Sequence, residues 1–317
     1  MIARAVVART PRRRATAEIR RARASDLAAC ARVFSRSSLE LSSRLGQTPS
    51  SPDARIVERR LAHLLRTDPA GFHVLTRGGR VVAFASTILR ERVHFLSMFW
   101  ALPGFQESGL GRELVRRAFD EPAAPPRAVR CVYASLDPRA QRLYLDLGML
   151  PRTQVYVIGG VPEPCARPPL ALELVPFDDP GVASARTLDS IGRLDRFVRG
   201  CRRDADQRFE LVQPGTRAFA AQHRGRPVGY VSIDGHGSIG PGAVRDPRHA
   251  AGLVWSALAM ARELGVERVR MRIPGLNGDA LSVAFASGLR IALIGSWMAQ
   301  REIGHLDRYL ATFGDLF

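Results

Sequence analysis

The spacing of hydrophobic residues predicts several amphipathic helices in the first half of the chain. Apolar side chains that recur at every third or fourth position lie on one face of a helix. A helix begins where a capping residue or proline precedes such a stripe and ends where glycine or proline follows it. The predicted helices are one after Ser25 or Asp26, Ala54–Thr67, Gly109–Asp120, and one that starts at Pro138 after Asp137 and stops at Gly148. The stretch Ser37–Asp53 is rich in serine, proline and glycine and predicts a loop.

Short apolar runs between these helices predict strands. Gly78-Gly79 separates two of the runs and indicates a β-hairpin. Helices that alternate with mostly antiparallel strands are typical of the α+β class, in which a mixed central sheet is flanked by helices. The predicted strands are Glu18–Arg21, Phe72–Arg77, Arg80–Leu89, Val93–Ala101, Arg130–Ser135 and Gln154–Ile158.

The second half of the chain repeats parts of the first half. Gly225–Ser232 resembles Gly79–Ser86 at an offset of 146 residues. Leu276–Gly288 resembles Leu136–Gly148 at an offset of 140 residues. The shared order and spacing favour a tandem duplication in which six residues were lost between the two matches. The alternative is a chance similarity between two helices that both end at glycine.

The length of 317 residues also predicts two domains, at roughly 150 residues each. We expect one domain over residues 17–160 and a second over residues 170–317. Residues 161–169 contain four prolines and are the expected linker. Residues 1–16 are expected to be a disordered basic tail, because they are rich in arginine and hold no acidic residue.

The net charge of +17 does not by itself predict a nucleic-acid partner. All 47 basic residues are arginine, a usage typical of a GC-rich genome rather than of selection for a polyanion. Eight of them lie in the first 23 residues, and basic clusters with interleaved aromatic residues are missing from the sequence. We therefore expect no nucleic-acid binding.

Cysteine usage and hydropathy favour a cytoplasmic protein. The four cysteines, Cys30, Cys131, Cys165 and Cys201, form no CxxC pair and have no histidine cluster near them, so neither disulfides nor a metal site are expected. The longest apolar stretch is Val81–Leu89, far shorter than the roughly 20 residues of a membrane span. Arginines interrupt the N-terminal segment, which therefore does not resemble a secretory signal peptide.

The segment Phe99–Arg112 carries the clearest chemical signal in the sequence. A strand runs out at Pro103, and a glycine-rich turn leads into a helix near Gly109. Free N–H groups at a helix start attract anions, so this turn predicts a diphosphate cradle. A P-loop would need a lysine, and a dinucleotide fold would need a full GxGxxG after a parallel strand. The alternative is a glycine-rich turn without a ligand.

These residues resemble the GNAT superfamily of acyl-CoA-dependent N-acyltransferases. The family pattern is Gln/Arg-x-x-Gly-x-Gly/Ala, and Gln106, Gly109 and Gly111 match it. A second family pattern, Asn-x-x-Ala-x-x-Leu-Tyr followed by Gly-Phe, is similar to Asp137–Tyr144 followed by Gly148-Met149. Aspartate stands for asparagine there and methionine for phenylalanine. The resemblance covers about residues 17–160 and implies two GNAT-like domains, of which the second is a degenerate copy.

The resemblance implies a site for acetyl-CoA, with no metal. Backbone groups of the strand Val93–Ala101, near Phe99 and Ala101, would pair with the pantetheine arm, and N–H groups from Gln106 to Arg112 would hold the pyrophosphate. Arg112 would add a charged hydrogen bond or, alternatively, is only a solvated helix residue. The implied cofactor-binding residues are Phe99, Trp100, Ala101, Gln106, Glu107, Ser108, Gly109, Leu110, Gly111, Arg112 and Asp137.

The resemblance implies that Tyr144 is the general acid that protonates the departing thiolate. A phenol is protonated at neutral pH and is able to donate. The alternative is a core tyrosine, since Tyr144 lies on an apolar stripe. Glu91 or His94 is the candidate base, with Glu40 a weaker candidate. The alternatives for the base are surface polar residues without a catalytic role and an ordered water.

The second half lacks these patterns in its sequence. Asp246 places a negative charge where a diphosphate would lie, and Ala284 stands at the position equivalent to Tyr144. We therefore expect a non-catalytic domain that binds no cofactor and helps to form the acceptor site. Leu188-Asp189 and Asp204–Phe209 are the expected wall of that site or, alternatively, parts of solvated helices.

The implied activity is transfer of acetyl from acetyl-CoA to a primary amine by direct attack in a ternary complex. The acceptor is a small molecule or a peptide amine, since acceptor contacts lie in variable loops of this fold. The alternative function is a non-catalytic acyl-CoA-binding sensor or scaffold.

Overall fold

The computed structural model describes residues 16–47, 53–105, 109–177, 185–312, 314 and 316. The described helices are α1 (Leu27–Arg44), α2 (Ala54–Thr67), α3 (Leu110–Asp120), α4 (Pro138–Asp146), α5 (Ala185–Arg199), α6 (Asp204–Leu211), α7 (Ala250–Glu263) and α8 (Gly278–Ala286). The described strands are β1 (Ala17–Arg21), β2 (Phe72–Arg77), β3 (Arg80–Arg90), β4 (Val93–Ala101), β5 (Val129–Ala134), β6 (Leu150–Gly160), β7 (Glu173–Pro176), β8 (Arg217–His223), β9 (Arg226–Ile233), β10 (Ser238–Val244), β11 (Val269–Pro274), β12 (Arg290–Ala299) and β13 (Tyr309–Leu310).

Local capping signals explain where several helices begin and end. The Asp53 side chain accepts a hydrogen bond from the N–H of Arg55 at the start of α2, and the Asp137 side chain does the same for Arg139 in α4. Gly148 follows α4 with a φ of +79°, a conformation that glycine adopts at little cost. The predicted helices at Ala54–Thr67 and after Asp137 are thereby confirmed.

The predicted loop at Ser37–Asp53 is wrong over its first part, because α1 continues to Arg44. Ser37 and Ser38 are buried on the face of α1 that also buries Cys30 and Val33. Serine is neither apolar nor a strong helix former, so this buried face leaves no hydrophobic stripe in the sequence. Residues 48–52 lie outside the described part of the chain.

The strands of both halves join in one sheet. Its order is β1-β2-β3-β4-β5-β12-β6-β11-β10-β9-β8-β7, and β13 pairs with β10. The described strand pairs are antiparallel except for β4 with β5 and β10 with β11. This mixed, mostly antiparallel sheet with helices on its faces confirms the α+β class.

The sixth strands of the two halves exchange neighbours. β12 comes from the second half and lies between β5 and β6, which both belong to the first half. β6 in turn lies between β12 and β11. The boundary expected at residues 161–169 therefore divides the chain in sequence but does not divide the sheet.

The hydrophobic core lies on both faces of the sheet. On β3, Ala83 and Ala85 pack beneath α3 and α4, whereas Phe84 and Ile88 pack beneath α1 and α2, because successive side chains of a strand point to opposite faces. The cluster that contains Phe84 also includes Ile191 of α5. A third cluster packs α7 and α8 on the strands of the second half. Among the described residues, every helix is too short or too polar to cross a bilayer.

Candidate active site

A cleft opens where β4 and β5 part. The two strands pair in parallel from Val93 opposite Val129 to Leu96 opposite Val132. β4 then continues to Ala101 without β5 as its neighbour. The last residues of β4 thus line a gap in the sheet that leads to the turn before α3.

The backbone of β4 presents hydrogen-bonding groups to this gap. The N–H of Leu102 donates to the carbonyl oxygen of Val82 on β3 at 2.9 Å, so Leu102 faces β3. Residues of an antiparallel strand alternate in the side to which they direct their N–H and C=O groups. Phe99 and Ala101 therefore direct these groups toward the gap. The Ser37 hydroxyl of α1 donates to the Ala101 carbonyl oxygen at 2.9 Å and fixes that end of the strand.

The side chains of the cleft strand pack on both faces of the sheet. The Trp100 ring packs edge-on against Phe34 of α1, with the ring centroids 4.9 Å apart. Phe99 packs on the other face, with the cluster beneath α3 and α4. Both aromatic rings hold β4 in place, but Trp100, like Leu102, directs its backbone groups to β3, so of the two aromatic residues only Phe99 has its backbone facing the gap.

The start of α3 lies at the mouth of the cleft. Gly109 precedes the helix with a φ of +72°, and its carbonyl oxygen accepts from the N–H of Arg112 at 3.1 Å. The N–H groups of Leu110 and Gly111 donate to no group in the described part of the chain, as is usual for the first turn of a helix. A Cβ on Gly111 would lie 3.1 Å from the Phe99 ring, so the helix start approaches β4 closely.

Three of the predicted cofactor residues, Gln106, Glu107 and Ser108, lie outside the described residues. Arg112 is described, and its exposed guanidinium pairs with Asp146 of α4. This ion pair links the two helices that flank the mouth of the cleft.

Asp137 lies across the gap from β4, at the N-terminus of α4. Its carboxylate accepts from the N–H of Arg139 at 3.0 Å and from the Arg44 guanidinium at 2.7 Å. Arg44 also pairs with Glu40, at 2.7 Å. Burial raises the pKa of Asp137, and the positive charge of Arg44 opposes that rise. The pair of Arg44 with Asp137 therefore connects the end of α1 to the far side of the gap. Because the sequence predicted a loop at Ser37–Asp53, it did not predict that Ser37 and Arg44 belong to the site.

Tyr144 lies on the buried face of α4. Its side chain belongs to the cluster that includes Leu114 and Ala134. Burial raises the pKa of its hydroxyl above the ordinary value, and the charge of Asp137 raises it further. The phenol thus keeps its proton throughout the neutral pH range, which suits a donor and excludes a base.

The structure places neither Glu91 nor His94 at the cleft, which corrects the expectation for the base. Both lie before the gap, because His94 is in the part of β4 that still pairs with β5, two residues before Leu96, and Glu91 precedes the strand. Glu91 lies in the turn before β4 and pairs with Arg196 of α5. His94 is buried, its Nε2 lies 3.1 Å from the Thr87 hydroxyl, and burial lowers its pKa to about 4.

The expected acceptor wall lies at the junction of the two halves. The Asp206 carboxylate of α6 accepts from Arg90 of β3 at 2.8 Å and lies 2.9 Å from Nε2 of His63 on α2. Phe209 stacks on the His63 ring, with centroids 4.2 Å apart. Asp189 pairs with Arg202 of its own half. Asp204–Phe209 therefore contacts the helix layer of the first half.

The corresponding turn of the second half differs in length and charge. Arg245–His249 joins β10 to α7 through five residues, whereas Leu102–Gly109 joins β4 to α3 through eight. The Asp246 carboxylate accepts from the N–H of Arg248 at 3.0 Å and so caps the turn itself. Ala284, at the position equivalent to Tyr144, is buried in the core.

Comparison with known proteins finds a family that the first half resembles. Residues 38–149, which include the cleft strand, the turn and Tyr144, match the model of the acetyltransferase (GNAT) family. This region is therefore similar to the domains of that family. Among curated protein sequences there is no significant match.

Solved structures show the same fold over nearly the whole chain. A candidate acetyltransferase from Pyrococcus horikoshii is 17% identical with a TM-score of 0.72, covering 95% of this chain and 96% of its own. A GCN5-related N-acetyltransferase from Sphaerobacter thermophilus is 18% identical with a TM-score of 0.64, covering 92% and 98%. A tandem GNAT protein from the clavulanic acid biosynthesis pathway is 19% identical with a TM-score of 0.54, covering 90% and 98%. The whole chain therefore has a GNAT-like fold.

Proposed function

We propose that the first half transfers acetyl from acetyl-CoA to a primary amine of a small molecule or peptide. The observation that carries this proposal is the gap between β4 and β5, with Phe99 and Ala101 facing it and the start of α3 at its mouth. The outward-facing N–H and C=O groups of Phe99 suit an extended arm that carries amides. The N–H groups of Leu110 and Gly111, which donate to no group among the described residues, suit a diphosphate together with the helix dipole.

Acetyl-CoA supplies a thioester whose carbonyl carbon an amine attacks directly, so that a C–N bond forms and the C–S bond breaks. Tyr144 donates its hydroxyl proton to the departing sulfur. Because Glu91 and His94 lie away from the cleft, the proton lost by the amine passes to water or to Glu40, which pairs with Arg44 beside Asp137. Ser37 and Trp100 keep the end of β4 in place and thereby position its backbone groups.

We also propose that the second half is a degenerate copy without catalytic function, and that residues 17–160 and 170–317 are the duplicated units. The helices and strands from β7 to β12 follow the same order as those from β1 to β6, which supports the duplication. The turn before α7 is three residues shorter than the turn before α3, which supports the loss of function in the second half. All four cysteines are free thiols, which supports a reducing, cytoplasmic location for the protein.

The test is the release of free CoA from acetyl-CoA in the presence of a panel of amines. Tyr144→Phe should retain the fold and most of the affinity for acetyl-CoA but lower kcat by roughly 10²–10⁴-fold, the usual contribution of a general acid. Tyr156→Phe is the matched control, since the Tyr156 hydroxyl only donates to Gln154 at the surface. Full activity of Tyr144→Phe would contradict the acid role. Binding of acetyl-CoA without turnover on any amine would favour a sensor or scaffold.

A further inference from the structure

The second half contains the same gap in the sheet, but a segment of the chain itself lies in it. β10 and β11 pair in parallel only at Ser238 and Ile239 and then part. β13 enters between them, with Leu310 opposite Gly242 on β10. On the other side, Ala311 pairs with Arg272 of β11. We call residues 305–312 the inserted segment.

The inserted segment occupies the place on β10 that corresponds to the cofactor-facing residues of β4. Gly242 pairs with Val231 on β9, and Phe99 pairs with Ala85 on β3. Val231 and Ala85 are 146 residues apart, the offset by which these two hairpins repeat. Gly242 is therefore the counterpart of Phe99.

Backbone and side-chain hydrogen bonds hold the inserted segment on its remaining sides. The N–H of Ala311 donates to the Arg272 carbonyl oxygen at 2.9 Å, and the Arg272 guanidinium donates to the Thr312 carbonyl oxygen at 3.1 Å. The Asn277 amide donates to the Tyr309 carbonyl oxygen at 3.3 Å. Asn277 caps α8, as Asp137 caps α4. The capping residue at the far side of the gap therefore also helps to hold the inserted segment.

A buried ionic cluster of α5 and α6 completes the binding site for this segment. The Thr312 hydroxyl donates to the Glu210 carboxylate at 2.5 Å, and Arg203 donates to the Leu316 carbonyl oxygen at 3.0 Å. Arg203 also pairs with Asp195 at 2.9 Å, and both side chains are fully buried. Buried charges are costly unless hydrogen bonds satisfy them. Here Glu210 accepts from the inserted segment itself, and Arg203 donates to a residue that follows the segment.

We propose that the inserted segment is an intramolecular ligand that takes, in the second half, the place of the acyl-carrying arm of the cofactor. The inference rests on the proposed function, because that function places the arm at Phe99. Its consequence is that the second half cannot admit a cofactor while the chain is folded. The chain then binds one acetyl-CoA, and the second half serves as a scaffold whose cleft is filled by its own backbone.

Amide hydrogen exchange of the full chain, with and without saturating acetyl-CoA, tests this proposal. Without acetyl-CoA, the amide of Ala311 should exchange at least about 10³-fold more slowly than in an unstructured peptide, because it is hydrogen-bonded in the core. With acetyl-CoA, protection should increase within residues 97–112 and remain unchanged within residues 239–252 and 305–312. Calorimetric titration should saturate at about one equivalent.

The outcomes separate this proposal from the proposed function. Rapid exchange within residues 305–312, or protection by acetyl-CoA within residues 239–252, would overturn the intramolecular ligand while leaving the first site intact. No protection by acetyl-CoA anywhere would contradict the proposed function instead. In Gly109→Val, protection by acetyl-CoA should disappear from the whole chain. Residual binding in that variant, with protection at residues 239–252, would place a second cofactor in the second half and refute the proposal.

Discussion

At the scale of single residues, His94 shows how burial decides the chemistry of a side chain. The Thr87 hydroxyl donates to the Ala118 carbonyl oxygen at 2.8 Å, so its oxygen is left to accept from Nε2–H of His94. The imidazole packs edge-on against Phe119 at 4.9 Å. Burial and the charge of Arg130 lower its pKa to about 4, so the ring is neutral at physiological pH. His94 is thus a structural residue on the α3 face of the sheet.

The lowered pKa of His94 predicts that the protein loses stability in mild acid. Between pH 6.5 and pH 4 the unfolded chain binds a proton at position 94 that the folded chain does not bind, so the free energy of unfolding decreases as the pH falls. From pH 7.5 to pH 5 the decrease due to His94 should be about 2 kcal/mol. Urea unfolding at the two pH values measures this decrease. In His94→Gln the free energy of unfolding should decrease by about 2 kcal/mol less than in the unmodified chain.

Burial also lowers the pKa of His73, so this residue also contributes to the loss of stability in acid. Because His73 is present in both proteins, its contribution cancels in the comparison. The kcat of His94→Gln should match that of the unmodified chain at pH 7.5. An equal loss of stability in the two proteins would contradict the structural role of His94.

At the scale of elements, the start of α3 combines a glycine of positive φ with N–H groups that donate to no group among the described residues. Gly109 has a φ of +72° and ends the turn that leads out of β4. A Cβ at this position would meet no atom within 4 Å among the described residues, so the space beside it is open to them. Our proposed function places the diphosphate in that space.

Gly109→Val should therefore lose affinity for acetyl-CoA by at least about 100-fold, because its side chain enters the diphosphate space and strains the turn. The matched control is Gly79→Val in the β2–β3 hairpin, where φ is +74° and the space is likewise open. Both variants should lose similar thermal stability, and only Gly109→Val should lose affinity by calorimetry. Unchanged affinity in folded Gly109→Val would remove this turn from the cofactor site.

At the scale of the whole molecule, the two halves are joined by a shared sheet and by a buried ion-pair network. Asp206 of α6 pairs with Arg90 of β3, and Arg90 also donates to Asp68 at 2.9 Å. Burial alone would raise the pKa of Asp206, but hydrogen bonds from His63 and Arg90 outweigh it and lower the pKa to about 2. The carboxylate is thus charged, buried and paired across the junction.

Asp206→Asn should lower the free energy of unfolding by roughly 1.5–3 kcal/mol, because it removes the charged acceptor that Arg90 and His63 share, while Arg90 keeps its pair with Asp68. Asp204→Asn, on the same helix, removes only an exposed pair with Arg202 and should cost less than about 1 kcal/mol. Calorimetry of the unmodified chain should show one unfolding transition, since β12 lies between β5 and β6. Two separate transitions would show that the halves are energetically independent.

The sequence by itself determined the elements whose signals are local. The bounds of α2 and β2 agree with prediction because Asp53, Asp68 and Pro69 act on residues a few positions away. The same holds for the turn at Gly109 and for the cap at Asp137, whose patterns span fewer than ten residues. These short patterns also carried the resemblance to the GNAT family, which the match of residues 38–149 confirms for the first half.

Only the tertiary structure decided the features that depend on distant partners. Ser37 is helical and buried because β4 covers it, and no local pattern encodes that contact. The distance of His94 from the cleft depends on the direction of β4 in the sheet. The position of β12 between β5 and β6, and of the inserted segment between β10 and β11, joins residues far apart in the chain. Periodicity specifies which face of a strand is buried, but the choice of neighbour depends on which open edge the folded chain brings beside it.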